Sequence, residues 1–299
     1  MAIIPKILSN RSSILKKISA MKSLLSSLLL GTSLSAVDFA VSVGVHDFVV
    51  SDIKNDVVTD GISAGTSHTL GLNTAIYLTH EMENGISILA KAEAFLDHDT
   101  DHLDPDHIPV WFDFLIDIDG PIYSINENNS LKWYVLMDNR QNTVSCIERE
   151  VRQHIGVGYE HTMGNLTLDF NVYAGFYYIE FDDDTPVARG YDRQLTDDGE
   201  ASNVLEVEGK YDFNQNWSLY AKAKRYAANT GMEKLEDNLE ALLTYKGKEF
   251  LSEGATLNLK VKYAKYNLDR FFVPVVGVPI LPFDNDTLIQ AYITLPMEF

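Results

Sequence analysis

Between Asp38 and Phe299 the chain alternates, residue by residue, between apolar and polar side chains. Successive strand side chains point to opposite faces, so each such run predicts a strand with one greasy and one wetter side. The last run shows this most plainly. Thr287, Ile289, Ala291, Ile293, Leu295, Met297 and Phe299 lie on one face, and Leu288, Gln290, Tyr292, Thr294, Pro296 and Glu298 on the other. Eleven runs precede it, at 38–50 and about 67–79, 85–96, 110–119, 131–139, 153–163, 166–180, 203–213, 217–227, 238–246 and 256–266. The total is twelve strands; ten or fourteen fit the same pattern if boundaries shift by a few residues.

The links between runs alternate in length. Short ones follow the second, sixth and eighth runs: 80–84, Gly164-Asn165 and Asn214-Gln215-Asn216. Long polar ones follow the first, third, fifth, seventh and eleventh: 51–66, 97–109, 140–152, 181–202 and 267–286. Gly164 and Asn165 both tolerate positive φ and suit a two-residue hairpin. Two links break the rhythm: 120–130 is long for a turn, and 228–237 is short for a loop.

The N-terminus differs from the rest. Met21-Lys22 precedes Leu24, Leu25, Leu28, Leu29 and Leu30, then the small residues Ser33, Ser35 and Ala36. A basic start, a short apolar core and a small-residue exit describe a secretory signal peptide, with cleavage expected after Ser35 or Ala36. The organisation is therefore an N-terminal extension and signal over 1–36 and one strand domain over 37–299, with translation starting at Met1 or Met21. Removing 1–36 leaves 19 basic against 43 acidic residues, a net charge of −24 with His neutral. That excludes nucleic acid as a natural partner, since phosphates are repelled. Cys146 is the sole cysteine, so no internal disulfide frames the fold.

The signal over Leu24–Ala36, the alternating runs and an aromatic C-terminus at Phe299 together resemble Gram-negative outer-membrane β-barrels of the porin-like channel class. The resemblance covers about 38–299. It implies an all-β fold: a single closed antiparallel up-and-down barrel with short periplasmic turns and longer outer loops. It also implies export to the outer membrane, contact with its lipids and lipopolysaccharide, and a last strand whose Phe299 is read by the insertion machinery. A soluble β-sandwich or jelly roll alternates as well, but does not favour strands this uniform in length. In a barrel, the aromatics near strand ends (Phe48, Trp111, Trp133, Tyr159, Trp217, Tyr263 and Phe299) suit interfacial girdles.

If the apolar faces meet lipid, the polar faces line a lumen wider than that of an eight-stranded barrel, and a narrow water-filled pore for small solutes is expected. Acids on that face come from three strands: Glu93; Asp113, Asp117 and Asp119; Glu206 and Glu208. Bases cluster on later strands: Lys222 and Lys224, Lys246, and Lys260 and Lys262. Twelve strands in a ring set the fourth opposite the tenth and eleventh, so an acidic wall is expected to face a basic one. A transverse field of that kind orients dipolar solutes. Alternatively, Glu206 and Glu208 form cross-strand salt bridges with Lys222 and Lys224. Tyr134, Tyr173, Tyr220, Tyr226 and Tyr292 share the same faces.

Two loops have unusual composition. Asp97, His98, Asp99, Asp101, His102 and His107 can ligate a divalent cation, although the stretch fails the EF-hand pattern. His102 stands where that motif needs Gly, and Ile108 where it needs a bidentate Glu. A solvated acidic loop is the alternative, and no other cofactor is expected. The segment 267–286, with Phe271, Phe272, Val275 and Phe283, is too apolar to wave in water. It is expected to fold into the barrel mouth as a constriction. Some twelve-stranded outer-membrane barrels are phospholipases, but Ser67-His68 and His161-Thr162 lack the His-x-Ser spacing. A channel, a non-conducting structural or adhesive barrel and, less favoured, a lipid hydrolase are the three function classes left.

Overall fold

The computed structural model describes residues 37–53, 65–98, 110–143, 147–181, 197–228, 233–247, 252–267 and 283–297. Every regular element among them is a strand: β1 (Asp38–Ile53), β2 (Gly65–Glu81), β3 (Ser87–Asp97), β4 (Val110–Asn126), β5 (Asn129–Thr143), β6 (Ile147–Met163), β7 (Leu166–Phe181), β8 (Asp197–Asp212), β9 (Trp217–Ala228), β10 (Glu233–Tyr245), β11 (Thr256–Tyr266) and β12 (Asn285–Met297). Each pairs antiparallel with its neighbours in sequence. β1 also pairs with β12, from Phe39↔Met297 to Val50↔Asp286, and closes the ring. Closure pairs both flanks of every strand, so no sheet edge is left to recruit another chain. The expected closed, twelve-stranded, up-and-down barrel is the fold observed.

The alternation decides which way each strand faces. Val43, Val45, Leu70, Leu72, Ile155, Val157, Leu239 and Leu259 all point outward and stay exposed, Ile155 by 66%. Leaving a Val, Leu or Ile side chain in water forfeits about 1.5–3 kcal/mol each. A belt of this size therefore calls for an apolar surrounding. Register keeps the belt continuous, because outward residues sit opposite outward residues, as in Val43↔Ile293 and Leu72↔Leu96.

One end of the barrel carries short turns. They are 82–86, Glu127-Asn128, Gly164-Asn165 and 213–216, and β10 is followed by β11 at the same end. Gly164 adopts φ 60° there, a left-handed conformation that glycine enters without steric cost. The segment 120–130 is thus mostly strand, closed by a two-residue turn, because β4 runs to Asn126 and β5 starts at Asn129. The opposite end, called here the loop end, carries the other connections.

The strands are longer than the sequence pattern suggests. β2, β4 and β6 have 17 residues each, against about 9–11 for a tilted strand to cross hydrocarbon. Much of the excess lies at the loop end. The expected long loop 140–152 is instead a hairpin, with β5 running to Thr143 and β6 starting at Ile147. Likewise β8 begins at Asp197 and β10 at Glu233. The physical reason is that cross-strand pairing continues past the apolar belt, where the outward face no longer needs to be greasy.

Candidate functional site: the lumen

At the loop end the inward side chains fill the barrel. Phe48, Phe95, Trp111, Tyr177, Ile179, Tyr226, Leu235 and Phe283 are almost wholly buried and form one cluster. Phe95 stacks on Trp111 with ring centroids 3.6 Å apart. This corrects two expectations. Phe48 and Trp111 do not belong to an outer aromatic girdle, because their parity sets them inward on β1 and β4. The lumen is also not an open aqueous tube at this level, because large side chains from opposing strands meet.

A charged network lies within this layer. Arg140 on β5 binds Glu150 on β6, Nε to Oε2 at 2.7 Å. It donates to the hydroxyl of Tyr266 on β11 and lies 3.6 Å from Asp286 on β12. Arg152 on β6 donates to both oxygens of Glu236 on β10 at 2.8 Å, binds Glu150, and sits 3.6 Å from Asp138. Its guanidinium carbon lies 5.4 Å from the ring centre of Tyr177 and 5.1 Å from that of Tyr226. Arg152, Glu150 and Glu236 are each 0% exposed. Buried ions persist only when paired and hydrogen-bonded, and here each one is.

The Tyr177 hydroxyl lies 2.6 Å from Glu150 and 2.8 Å from Glu236. A phenol has one hydrogen to donate, so the second contact is satisfied when one of the two carboxyl groups carries a proton. The two guanidinium groups and the carboxyl groups of Asp138, Glu150, Glu236 and Asp286 thus form a compact unit tying β5, β6, β7, β10, β11 and β12 together. None of Arg140, Glu150, Arg152 or Glu236 was singled out in the sequence, because all four fall in the segments 140–152 and 228–237, read there as links. A usable signal existed: Glu150, Arg152 and His154 continue the inward parity of β6.

A second buried unit sits beside the first. The His46 Nε2 lies 2.8 Å from Asp97 Oδ1, which also accepts from Trp111 Nε1 at 3.2 Å. Gly71 makes room for it, since a Cβ there would stand 2.5 Å from His46 Cε1. Asp97 is therefore engaged inside the barrel, away from any loop cation. His98 follows β3 and is exposed, while Asp99, Asp101, His102 and His107 lie outside the described residues. Among the described residues no group of three or more His, Cys, Asp or Glu is arranged to hold a metal.

Below this layer the lumen is lined by ion pairs. Glu93 contacts Lys91 at 2.8 Å, Gln290 at 2.6 Å and Asn73 at 3.0 Å. Asp113 is 3.6 Å from Lys91. Asp119 is 3.7 Å from Lys132, which also binds Glu160 at 2.5 Å. Glu206 binds Lys224 at 2.6 Å and Tyr173 at 2.6 Å. Glu208 accepts from Tyr220, and Lys260 lies 3.4 Å from Glu240. Asp117, Lys222 and Lys262 point into the same space. Lys246 does not: it is exposed, beyond the end of β10, with its backbone N–H bonded to Asn216.

Two walls of opposite sign are thus not what the barrel presents. Lys91 stands among the acids and Glu240 among the bases. Register is the cause: the row Glu208↔Lys222↔Glu240↔Lys262 runs across β8 to β11, so neighbouring strands alternate sign. Of the expected constriction residues, Phe283 is 2% exposed and packs in the loop-end cluster. Phe271, Phe272 and Val275 lie outside the described residues, as do residues 1–36, Cys146 and Phe299.

The class this geometry defines is a closed β-barrel with an apolar outside and an ion-paired inside. No protein-family model matches the chain, and no curated protein matches it. Among solved structures it is similar to an outer membrane channel from Pseudomonas putida, at 10% identity, covering 88% of this chain and 97% of that one with a TM-score of 0.47. It is similar to the NanC porin at 9% identity, covering 88% and 100%, with a TM-score of 0.44. It is also similar to the translocator domain of the autotransporter NalP from Neisseria meningitidis, at 10% identity, covering 96% and 98%, with a TM-score of 0.43.

Proposed function

We propose that this protein is an outer-membrane channel that lets small hydrophilic or charged solutes diffuse through a narrow, ion-lined lumen. One observation carries the reading: a sheet closed on itself bears an apolar belt outside and charged side chains inside. Only closed barrels and helices satisfy every backbone polar group in lipid. The signal-like Leu24–Ala36, the outer-membrane address and recognition of β12 by insertion machinery belong to the same reading. So do lipid and lipopolysaccharide as surroundings. The apolar segment 267–286 is assigned to the loop-end mouth, where Phe283 supports it. Divalent cations are assigned to the acidic outer loops as bridges to anionic headgroups.

The filled loop-end layer favours a second reading, a non-conducting structural or adhesive barrel. Planar-bilayer recording of the reconstituted protein separates the two. Discrete current steps, with a reversal potential in a salt gradient, support the channel and report which sign of ion it passes. A silent bilayer in which the protein is demonstrably inserted supports the structural barrel.

A further inference from the structure

Most lumen charges have a partner, and a few do not. Among the described residues, no carboxylate oxygen lies within 4.0 Å of the Lys222 or Lys262 ammonium; the salt bridges formed by their neighbours are Lys224–Glu206 and Lys260–Glu240. Both lysines have carboxylates directly across the ladder. Lys222 faces Glu208 and Glu240, and Lys262 faces Glu240. Those groups are engaged elsewhere, Glu208 with the Tyr220 hydroxyl and Glu240 with Lys260. Among the described residues, the aromatic ring nearest the Lys222 ammonium is that of Tyr220, 5.8 Å away.

The facing wall shows the complementary shortage. Asp117 on β4 has no salt bridge or hydrogen bond of its side chain among the described residues; Lys222 and Lys224 act on it only across the lumen, opposed by Glu206 and Glu208. Asp138 on β5 has one ion contact among the described residues, with Arg152 at 3.6 Å, and Lys262 lies on the strand opposite it in the ring. The ring order sets β5 diametrically opposite β11, and β4 five strands from β9. None of these four side chains is fully buried, so each borders the space inside the barrel.

We propose that the middle of the lumen is a binding site for compact zwitterions, Lys222 and Lys262 taking the anionic end and Asp117 and Asp138 the cationic end. The proposal rests on the channel reading and names the solute class for it. A simple anion at the lysines meets repulsion from the facing carboxylates, and a simple cation at the carboxylates meets it from the lysines. A molecule carrying both charges satisfies the lysine pair and the aspartate pair at once and lies across the pore.

The test uses the full chain in proteoliposomes, with γ-aminobutyrate as the probe and butyrate and butylammonium as singly charged analogues of the same length. Erythritol influx is measured in parallel and reports on the channel independently of charge. The expected result is γ-aminobutyrate influx that saturates, with each analogue competing at least about tenfold more weakly. Lys262→Gln and Asp117→Asn are each expected to raise the half-saturating concentration for γ-aminobutyrate about tenfold, each influx being read as a ratio to erythritol influx through the same variant. Normal erythritol influx with γ-aminobutyrate influx linear in concentration overturns the site and leaves the channel standing. Equal competition by either analogue also overturns it, and this arm needs no variant. Absence of erythritol influx overturns the channel and the site together.

Discussion

Arg140 on β5 hydrogen-bonds the hydroxyl of Tyr266 on β11, the strand diametrically opposite in the ring. A contact between opposite walls is a chord through the lumen, and it shuts the space it crosses. Arg140 also holds Glu150 and approaches Asp286, so the chord is charge-compensated at both ends. Removing the cation leaves buried carboxylates without their partner. Arg140→Ala is expected to cost about 3–5 kcal/mol of unfolding free energy, whereas Tyr266→Phe, which deletes one hydroxyl, costs about 1–3 kcal/mol. Urea unfolding in micelles checks both; a loss under 1 kcal/mol for Arg140→Ala would show that the network bears little stability.

The same chord predicts conductance. If the loop-end layer limits passage, shortening Arg140 or Arg152 widens it. Arg152→Ala is expected to raise single-channel conductance above wild type, because its side chain links Glu236 on β10 to Glu150 and Asp138 on the facing strands. Single-channel recording at one salt concentration reads this directly, and an unchanged step size places the limiting constriction elsewhere.

Gly71 makes a local prediction. Its missing Cβ leaves room for His46 Cε1, and the backbone oxygen of Leu96 would lie 2.3 Å from any added Cβ. The imidazole can rotate, but the carbonyl belongs to a paired strand. Gly71→Ala is expected to destabilise by about 1–3 kcal/mol through overpacking, detectable as a lower denaturation midpoint. A neutral result would mean that β2 and β3 separate freely at this level.

The outer belt predicts a depth profile. Ile155 lies midway along β6 and faces outward, while Phe213 follows β8 at the turn end. Ile155→Arg is expected to cost about 2–4 kcal/mol in a bilayer and Phe213→Arg about 0–1 kcal/mol. Equal small costs in lipid vesicles would argue against hydrocarbon around the barrel.

Closure has its own test. Val43 and Ile293 are register partners across the β1–β12 seam. In a Cys146→Ser background, Val43→Cys with Ile293→Cys is expected to cross-link on mild oxidation, giving a band of altered mobility that reductant reverses. Val43→Cys with Leu239→Cys, on strands that do not pair, serves as the control.

Alternation by itself determined that the chain is built of strands, about twelve of them, and which residues of a strand share a face. A period of two is local, and a parity error would turn every greasy residue of a strand into the lumen and its charges outward. Parity also set Glu93, Asp113, Asp117, Asp119, Glu206, Glu208, Lys222, Lys224, Lys260 and Lys262 inward. What local pattern does not contain is where pairing stops. Strand ends beyond the apolar belt carry no greasy outward face, so 140–152 and 228–237 read as loops and Arg140, Glu150, Arg152 and Glu236 passed unnoticed. Nor does it contain who meets whom. Arg140 and Tyr266 are 126 residues apart and touch only because ring closure brings β5 and β11 face to face. Register and closure, which depend on the whole sheet, also decided that acids and bases interleave and that the loop end is filled.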